Sequence, residues 1–209
     1  MADPKLLARH VLQELQAHPQ AYLVAVAGIP GSGKSTVCLE IQKQFPDAAI
    51  VPMDGYHLPR SVLTFDQMER RGAPDTFDQA AFRADLMRLK TTRAGVFPGF
   101  DHSEKDPCPG QYSISEATPL VIVEGLYVLM KLWRLESLFD LKVFIDCDLD
   151  LTTDRLAARH LAAGIVSSFE EARKRALGSD RSNAEQILAD GCRERADLVL
   201  KGWDSETQK

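Results

Sequence analysis

Gly28-Ile29-Pro30-Gly31-Ser32-Gly33-Lys34-Ser35-Thr36 is the stretch on which the fold of this chain turns. It satisfies the phosphate-loop (P-loop) pattern GxxxxGK[ST] at every fixed position. Residues 22–27 (YLVAVA) read as a short apolar strand. Residues 34–45 read as a helix with Val37, Ile41 and Phe45 four apart on one face. Strand, glycine loop and helix in that order are the context in which the pattern means a phosphate site rather than a chance glycine-rich turn. Glycines let backbone N–H groups converge on phosphate oxygens with no Cβ in the way. The following helix turns its positive end toward the anion. In such a loop Lys34 reaches the β- and γ-phosphates and the Ser35 hydroxyl ligates Mg²⁺. The cofactor-binding set is therefore Gly28, Ile29, Pro30, Gly31, Ser32, Gly33, Lys34, Ser35 and Thr36.

The bulk properties narrow the class. A chain of 209 residues suits one domain with a substantial core, and 44% apolar residues is ordinary for a globular protein. A net charge of −5 gives nucleic acid no support as a partner. The apolar runs are far below membrane-spanning length, so no membrane partner is expected either. The start, MADPKLLARH, lacks a basic flank followed by an apolar core, so no signal peptide is evident. Cys38, Cys108, Cys147 and Cys192 are scattered with no CxxC pair, which reads as reduced thiols in a cytoplasmic protein.

Taken in order, Asp3-Pro4 reads as a helix start with Leu7, Val11 and Leu15 as an apolar stripe and Pro19 as its stop. A second strand over 49–53 ends in Asp54-Gly55-Tyr56-His57. Ligands of open α/β sheets bind beyond the carboxyl ends of strands, so Asp54 is placed to accept a proton from a hydroxyl. Its competing reading is a helix or turn cap. Residues 58–77 read as a long irregular loop in which Arg70-Arg71 either meets an anionic group or forms a solvated face. A helix over 78–90 follows. Residues 96–112 carry three prolines and two glycines and read as an ordered loop. In that loop His102 alone reads as a surface histidine, and together with Asp101 as a group that hydrogen-bonds hydroxyls.

Leu120-Val-Ile-Val123 reads as a buried parallel strand ending in Glu124, where a P-loop enzyme handles Mg²⁺ or its water. The competing reading is a solvated strand-end carboxylate. A strand over 142–145 leads to a helix over 148–163. Two capping boxes, Ser168–Glu171 and Ser182–Glu185, predict two further short helices broken at Gly178 and Gly191. Arg155 and Arg159 share a helix face and suggest a lid, while Arg173, Arg175 and Arg181 each read as ordinary surface residues. Residues 196–200 read as a last strand, and the tail from Gly202 as frayed.

At this point GIPGSGKST, MDGYH, VEGLY and an arginine-bearing helical segment together resemble the phosphoribulokinase/uridine kinase-type P-loop kinases, whose relatives include pantothenate kinase. The stretches MDGYHLPR, RRGAPDTFD, FDHSEKDP and RHLAAGI followed by SDRSNA are similar to a branch of small ATP-dependent kinases that includes kinases named for fructose transport systems. The likeness runs from about Tyr22 to Leu200. It implies a doubly wound parallel α/β domain of the P-loop kinase fold, residues 1–209 forming one unit with a helical lid near 150–190. It implies Lys34 and Ser35 on phosphates and Mg²⁺, Asp54 as general base, Glu124 on the metal, and Arg155 and Arg159 as lid arginines. Tyr56, His57, Arg71, Asp101 and His102 would then meet the acceptor.

The expected function is a Mg·ATP-dependent small-molecule kinase that phosphorylates a hydroxyl of a small metabolite, a sugar or sugar-like compound first and a nucleoside second. A homodimer is admitted. The competing reading is a P-loop ATPase or nucleotide-dependent switch with no small acceptor. The chain has neither an NKxD guanine-recognition stretch nor an LSGGQ-like signature.

Overall fold

The computed structural model describes residues 3–101, 103–162, 164 and 166–202. The elements run α1 (Pro4–Ala17), β1 (Leu23–Gly28), α2 (Lys34–Gln44), β2 (Ala48–Pro52), α3 (Phe65–Glu69), α4 (Gln79–Thr92), β3 (Gly95–Asp101), β4 (Asp106–Ile114), β5 (Leu120–Gly125), β6 (Leu141–Asp146), α5 (Leu149–Ala162), α6 (Phe169–Arg175), α7 (Arg181–Ala189) and β7 (Leu198–Lys201). Five parallel strands form one sheet in the order β2-β5-β1-β6-β7. The chain leaves β1 toward β2 on one side and, after β5, crosses to β6 on the other. The order therefore reverses beside β1, which is where open α/β sheets bind ligands.

All six residues of β1 are buried, because both faces of the sheet are covered. Val24 and Val26 point to one side, where Leu7 and Val11 of α1 and Val37 and Ile41 of α2 pack on Ile122, Val143 and Ile145. Leu23, Ala25 and Ala27 point to the other, under Phe82, Leu86 and Leu89 of α4, Trp133, and Ile187 of α7. Helix α1 begins as its sequence predicts: Asp3 accepts a hydrogen bond from the Lys5 N–H at 3.0 Å and Pro4 is the first helical residue. A third, smaller cluster joins α5 to α6 through Leu156, Ala157, Ala172 and Ala176.

The region read as a loop over 96–112 is an antiparallel hairpin, β3 with β4. A two-stranded ribbon has two open edges, so prolines without an N–H are tolerated, and the register shifts between Phe97 and Gly99, around Pro98. The loop over 58–77 contains α3, capped by a reciprocal Thr64–Gln67 box. Of the two predicted boxes, Ser168 caps α6 by accepting from the Glu171 N–H. Ser182 does not cap: α6 runs into α7 through a π-type turn, Ala176–Asp180, kinked at Gly178, which leaves Ser182 inside a helix. The tail beyond Gly202 lies outside the described residues.

Candidate active site

The P-loop joins β1 to α2 with Gly31 at φ +78 and Gly33 at φ +94, values in the left-handed region that glycine adopts freely. A Cβ at Gly33 would meet nothing within 4 Å, so the loop opens there. A Cβ at Gly31 would stand 3.0 Å from the Thr152 carbonyl, so α5 sits directly on the loop. Between them lies a cavity of about 350 Å³ lined by the loop, the first turn of α2, Arg155, Leu156 and Arg159. The Ser32 hydroxyl is buried in the loop without a hydrogen-bond partner among the described residues. An orphaned donor, a glycine cradle and a helix N-terminus make a donor set that fits a polyphosphate.

Lys34 is only 8% exposed, and its Nζ donates to the Ile29 carbonyl at 3.0 Å. Burial pushes the Lys34 ammonium below its ordinary pKa. Glu124 and Asp54 pull it back up, and Arg159 pushes it further down. Glu124 is the penultimate residue of β5, beside Pro52 of β2, and Ser35 Oγ donates to its Oε1 at 2.9 Å. Burial raises the Glu124 carboxyl, Asp54 raises it further, and Lys34 and the Ser35 bond oppose this. Lys34, Glu124, Asp54 and Arg159 thus share one electrostatic neighbourhood. The two oxygens of Ser35 and Glu124 suit a hard cation such as Mg²⁺.

Asp54 lies in a 3-10 turn, Met53–Tyr56, immediately after β2. Its carboxylate has no hydrogen-bond partner among the described residues, so it caps nothing. His57 stands three residues on, one 3-10 turn later, and returns to the same side. Its Nδ1 donates to the Asp54 carbonyl at 2.9 Å, and its ring packs between Phe77 (4.0 Å between centroids) and Phe100 (4.9 Å).

Tyr56, two residues after Asp54, falls on another side of the turn. It is buried and its hydroxyl donates to Asp85 of α4 at 2.7 Å, so the structure does not bring it to the cleft. Asp101 is spent on the hairpin turn, where it accepts from the Ser103 N–H at 2.7 Å and the Glu104 N–H at 3.1 Å. His102 lies outside the described residues.

The arginines separate by partner. Arg155 and Arg159 line the cavity, and Arg155 Nη1 donates to the Gly31 carbonyl at 3.3 Å. Arg173 pairs with Asp154, and Arg181 with Asp150 and Glu185, on the surface. Arg70 pairs with Asp66 and Asp75, while Arg71 reaches across to the hairpin. Phe77 and Phe100 join His57 here, and their signal in the sequence is an aromatic residue immediately before an aspartate, TFD and GFD.

Cys38 and Cys192 are buried, Cys147 is half-buried and Cys108 exposed, and all four are free thiols. Among the described residues no helix is long and apolar enough to cross a membrane.

Comparison with known proteins gives three kinds of match. The model of the Phosphoribulokinase / Uridine kinase family matches residues 23–163. A candidate uridine kinase of Schizosaccharomyces pombe, C227.14, is 34% identical over 186 residues, covering 81% of this chain and 79% of the relative. The ATP-dependent kinase YFH7 of Saccharomyces cerevisiae is 35% identical over 182 residues, covering 67% of this chain; the chain spans about half, 52%, of that relative's length. Among solved structures, a candidate fructose transport system kinase from Silicibacter sp. TM1040 superposes with a TM-score of 0.80 at 32% identity, covering 96% of this chain and 100% of that one.

Proposed function

The chain belongs to the Phosphoribulokinase / Uridine kinase family, and from that premise we propose that it transfers the γ-phosphoryl group of ATP to a hydroxyl of a small metabolite. The observation that carries this reading is the uncommitted Asp54 carboxylate at the end of β2, beside a P-loop whose Ser35 is hydrogen-bonded to Glu124. ATP supplies the transferable phosphoryl group when bound. The loop N–H groups and Lys34 hold its phosphates. Ser35 and Glu124 would hold Mg²⁺. Asp54 takes the proton of the attacking hydroxyl, because its carboxylate stands beside the P-loop lysine and has no hydrogen-bond partner among the described residues. His57, fixed between two aromatic rings, orients the acceptor. Arg155 and Arg159, on a lid over residues 150–190, offset charge that develops on the transferring group.

The acceptor is sugar-like first and a nucleoside second. A relative of 32% identity is named for a fructose transport system, and one of 34% identity is named a uridine kinase. The test is an ADP-release screen with Mg·ATP against sugars, sugar phosphates and nucleosides. One acceptor should raise ADP release well above the acceptor-free rate. Slow release that no acceptor changes would turn the reading toward an ATPase.

A further inference from the structure

Arg71 sits in the RRGAPDTFD stretch, in the connection between β2 and α4, and its guanidinium reaches the turn end of the β3–β4 hairpin. Its side chain is 13% exposed. Nη2 donates to the Leu58 carbonyl at 3.0 Å and to Asp106 Oδ1 at 2.9 Å, and Nη1 donates to the Lys105 carbonyl. The same Asp106 oxygen accepts from the Arg60 N–H at 2.9 Å. The guanidinium lies 5.6 Å from the centroid of the Phe100 ring, which also packs against the His57 ring. One side chain therefore ties three backbone segments together: Leu58 just after His57, Lys105 and Asp106 at the start of β4, and Phe100 near the end of β3. A planar guanidinium does this because its donors fan out in one fixed plane, which an ammonium does not reproduce.

The geometry points to Arg71 as a positioning residue: it clamps the hairpin onto the loop so that Phe100 closes over His57 beside Asp54, and it does not itself bind the acceptor. Nη1 and Nη2 are directed to two carbonyls and a carboxylate of the protein, and the remaining Nε–H is buried, with no hydrogen-bond partner among the described residues. The kinetic consequence rests on the kinase reading above; the clamp itself does not.

The experiment compares Arg71→Ala, Arg71→Lys, Asp106→Ala and the double variant Arg71→Ala/Asp106→Ala by hydrogen exchange and by kinetics. Exchange in peptides of β3 and β4 should rise roughly tenfold in each variant while β1 and β5 keep wild-type protection, which also shows that the fold is intact. With the acceptor from the screen, its KM should rise roughly tenfold, the KM for ATP should stay within about twofold, and the double variant should be no worse than either single one. Arg71→Lys should fail to rescue. Unchanged hairpin exchange would overturn the clamp. Wild-type acceptor KM in both Arg71→Lys and Asp106→Ala, with loss only in Arg71→Ala, would show instead that the charge meets the acceptor directly. If no acceptor supports turnover, the kinase reading falls and the exchange measurement decides the clamp on its own.

Discussion

Asp54 and Lys34 stand in the same electrostatic neighbourhood but do different work, and substitution should separate them. Asp54→Asn keeps the shape of the turn and removes the carboxylate proposed to accept the proton. Nucleotide binding should stay near wild type while turnover falls by about 10²-fold, the usual scale for a lost acid–base group. Full activity in that variant would remove Asp54 as the base. Lys34→Ala should weaken nucleotide binding and transfer together, and titration of a fluorescent ATP analogue would reveal any variant that keeps normal affinity. His57 gives a prediction in pH. Burial pushes its imidazole below the ordinary histidine value, with Asp54 opposing. The unfolded chain protonates His57 near its ordinary pKa of about 6.5, and the folded chain only at lower pH. Below that value the unfolded state binds more protons, so stability is full above about pH 6.5 and falls as the pH drops toward the folded value. His57→Asn should flatten this decline, and melting temperatures recorded from about pH 7.5 to 5 should show a shallower fall than wild type. Identical slopes would mean His57 is not desolvated as its surroundings indicate. The positions of Asp54, Glu124 and the P-loop residues were legible because each follows an apolar run that can only be a strand. Tyr56 was not, because a 3-10 turn, unlike a strand, brings residue i+3 rather than i+2 back to the same side.

Between elements, the loop that holds Arg71 is tied at a second point. The Gly72 carbonyl accepts from Tyr127, which follows β5, at 2.6 Å and from Asn183 of α7 at 3.2 Å. RRGAPDTFD, VEGLY and SDRSNA therefore meet at one oxygen, although they lie far apart in sequence. Removing either donor leaves the carbonyl one partner, so Asn183→Ala and Tyr127→Phe should each cost about 1 kcal/mol in urea unfolding. Removing both leaves a part-buried acceptor without either donor, and the double variant should exceed the sum of the singles by about 1 kcal/mol. Strict additivity would show that water or another group satisfies the oxygen. This node was hidden in the sequence because Asn183 falls inside a stretch that also matches a capping box. Local hydrogen-bonding patterns do not say whether a polar side chain closes its own helix or reaches another element. The hairpin was hidden for a related reason. Pro98, Pro107 and Pro109 punctuate the sequence as a loop would, but only a central strand needs every N–H. Gly99 leaves room where Gln111 packs across the pair.

Across the molecule, burial is unevenly shared. The parallel sheet is enclosed by two large clusters rich in valine, isoleucine and aromatic residues. The α5–α6 pair is held by one leucine and three alanines, with Val166 at its margin. Apolar stabilisation scales with the area withdrawn from water, at about 25 cal/mol per Å², so the small side chains of this third cluster contribute little. The sequence made the doubly wound class legible through its alternation of apolar runs and amphipathic helices. It did not reveal the order β2-β5-β1-β6-β7, because every inner strand is simply apolar and none of them marks its neighbour. That order puts the weakly packed α5 directly against the P-loop, with Arg155 and Arg159 on the cavity wall. A segment of low local stability that carries two cations to a phosphate site should open readily and close on the nucleotide. Without nucleotide, amides of α5 and α6 should exchange well before those of β1 and β5. With a non-hydrolysable Mg·ATP analogue at about 100 times its Kd, exchange in α5 and α6 should slow by up to ~100-fold, the limit if their open form does not bind the nucleotide. Protection of α5 and α6 equal to that of β1 in the free protein, or slowing confined to α2, would show that this helical segment is a fixed wall of the site and not its lid.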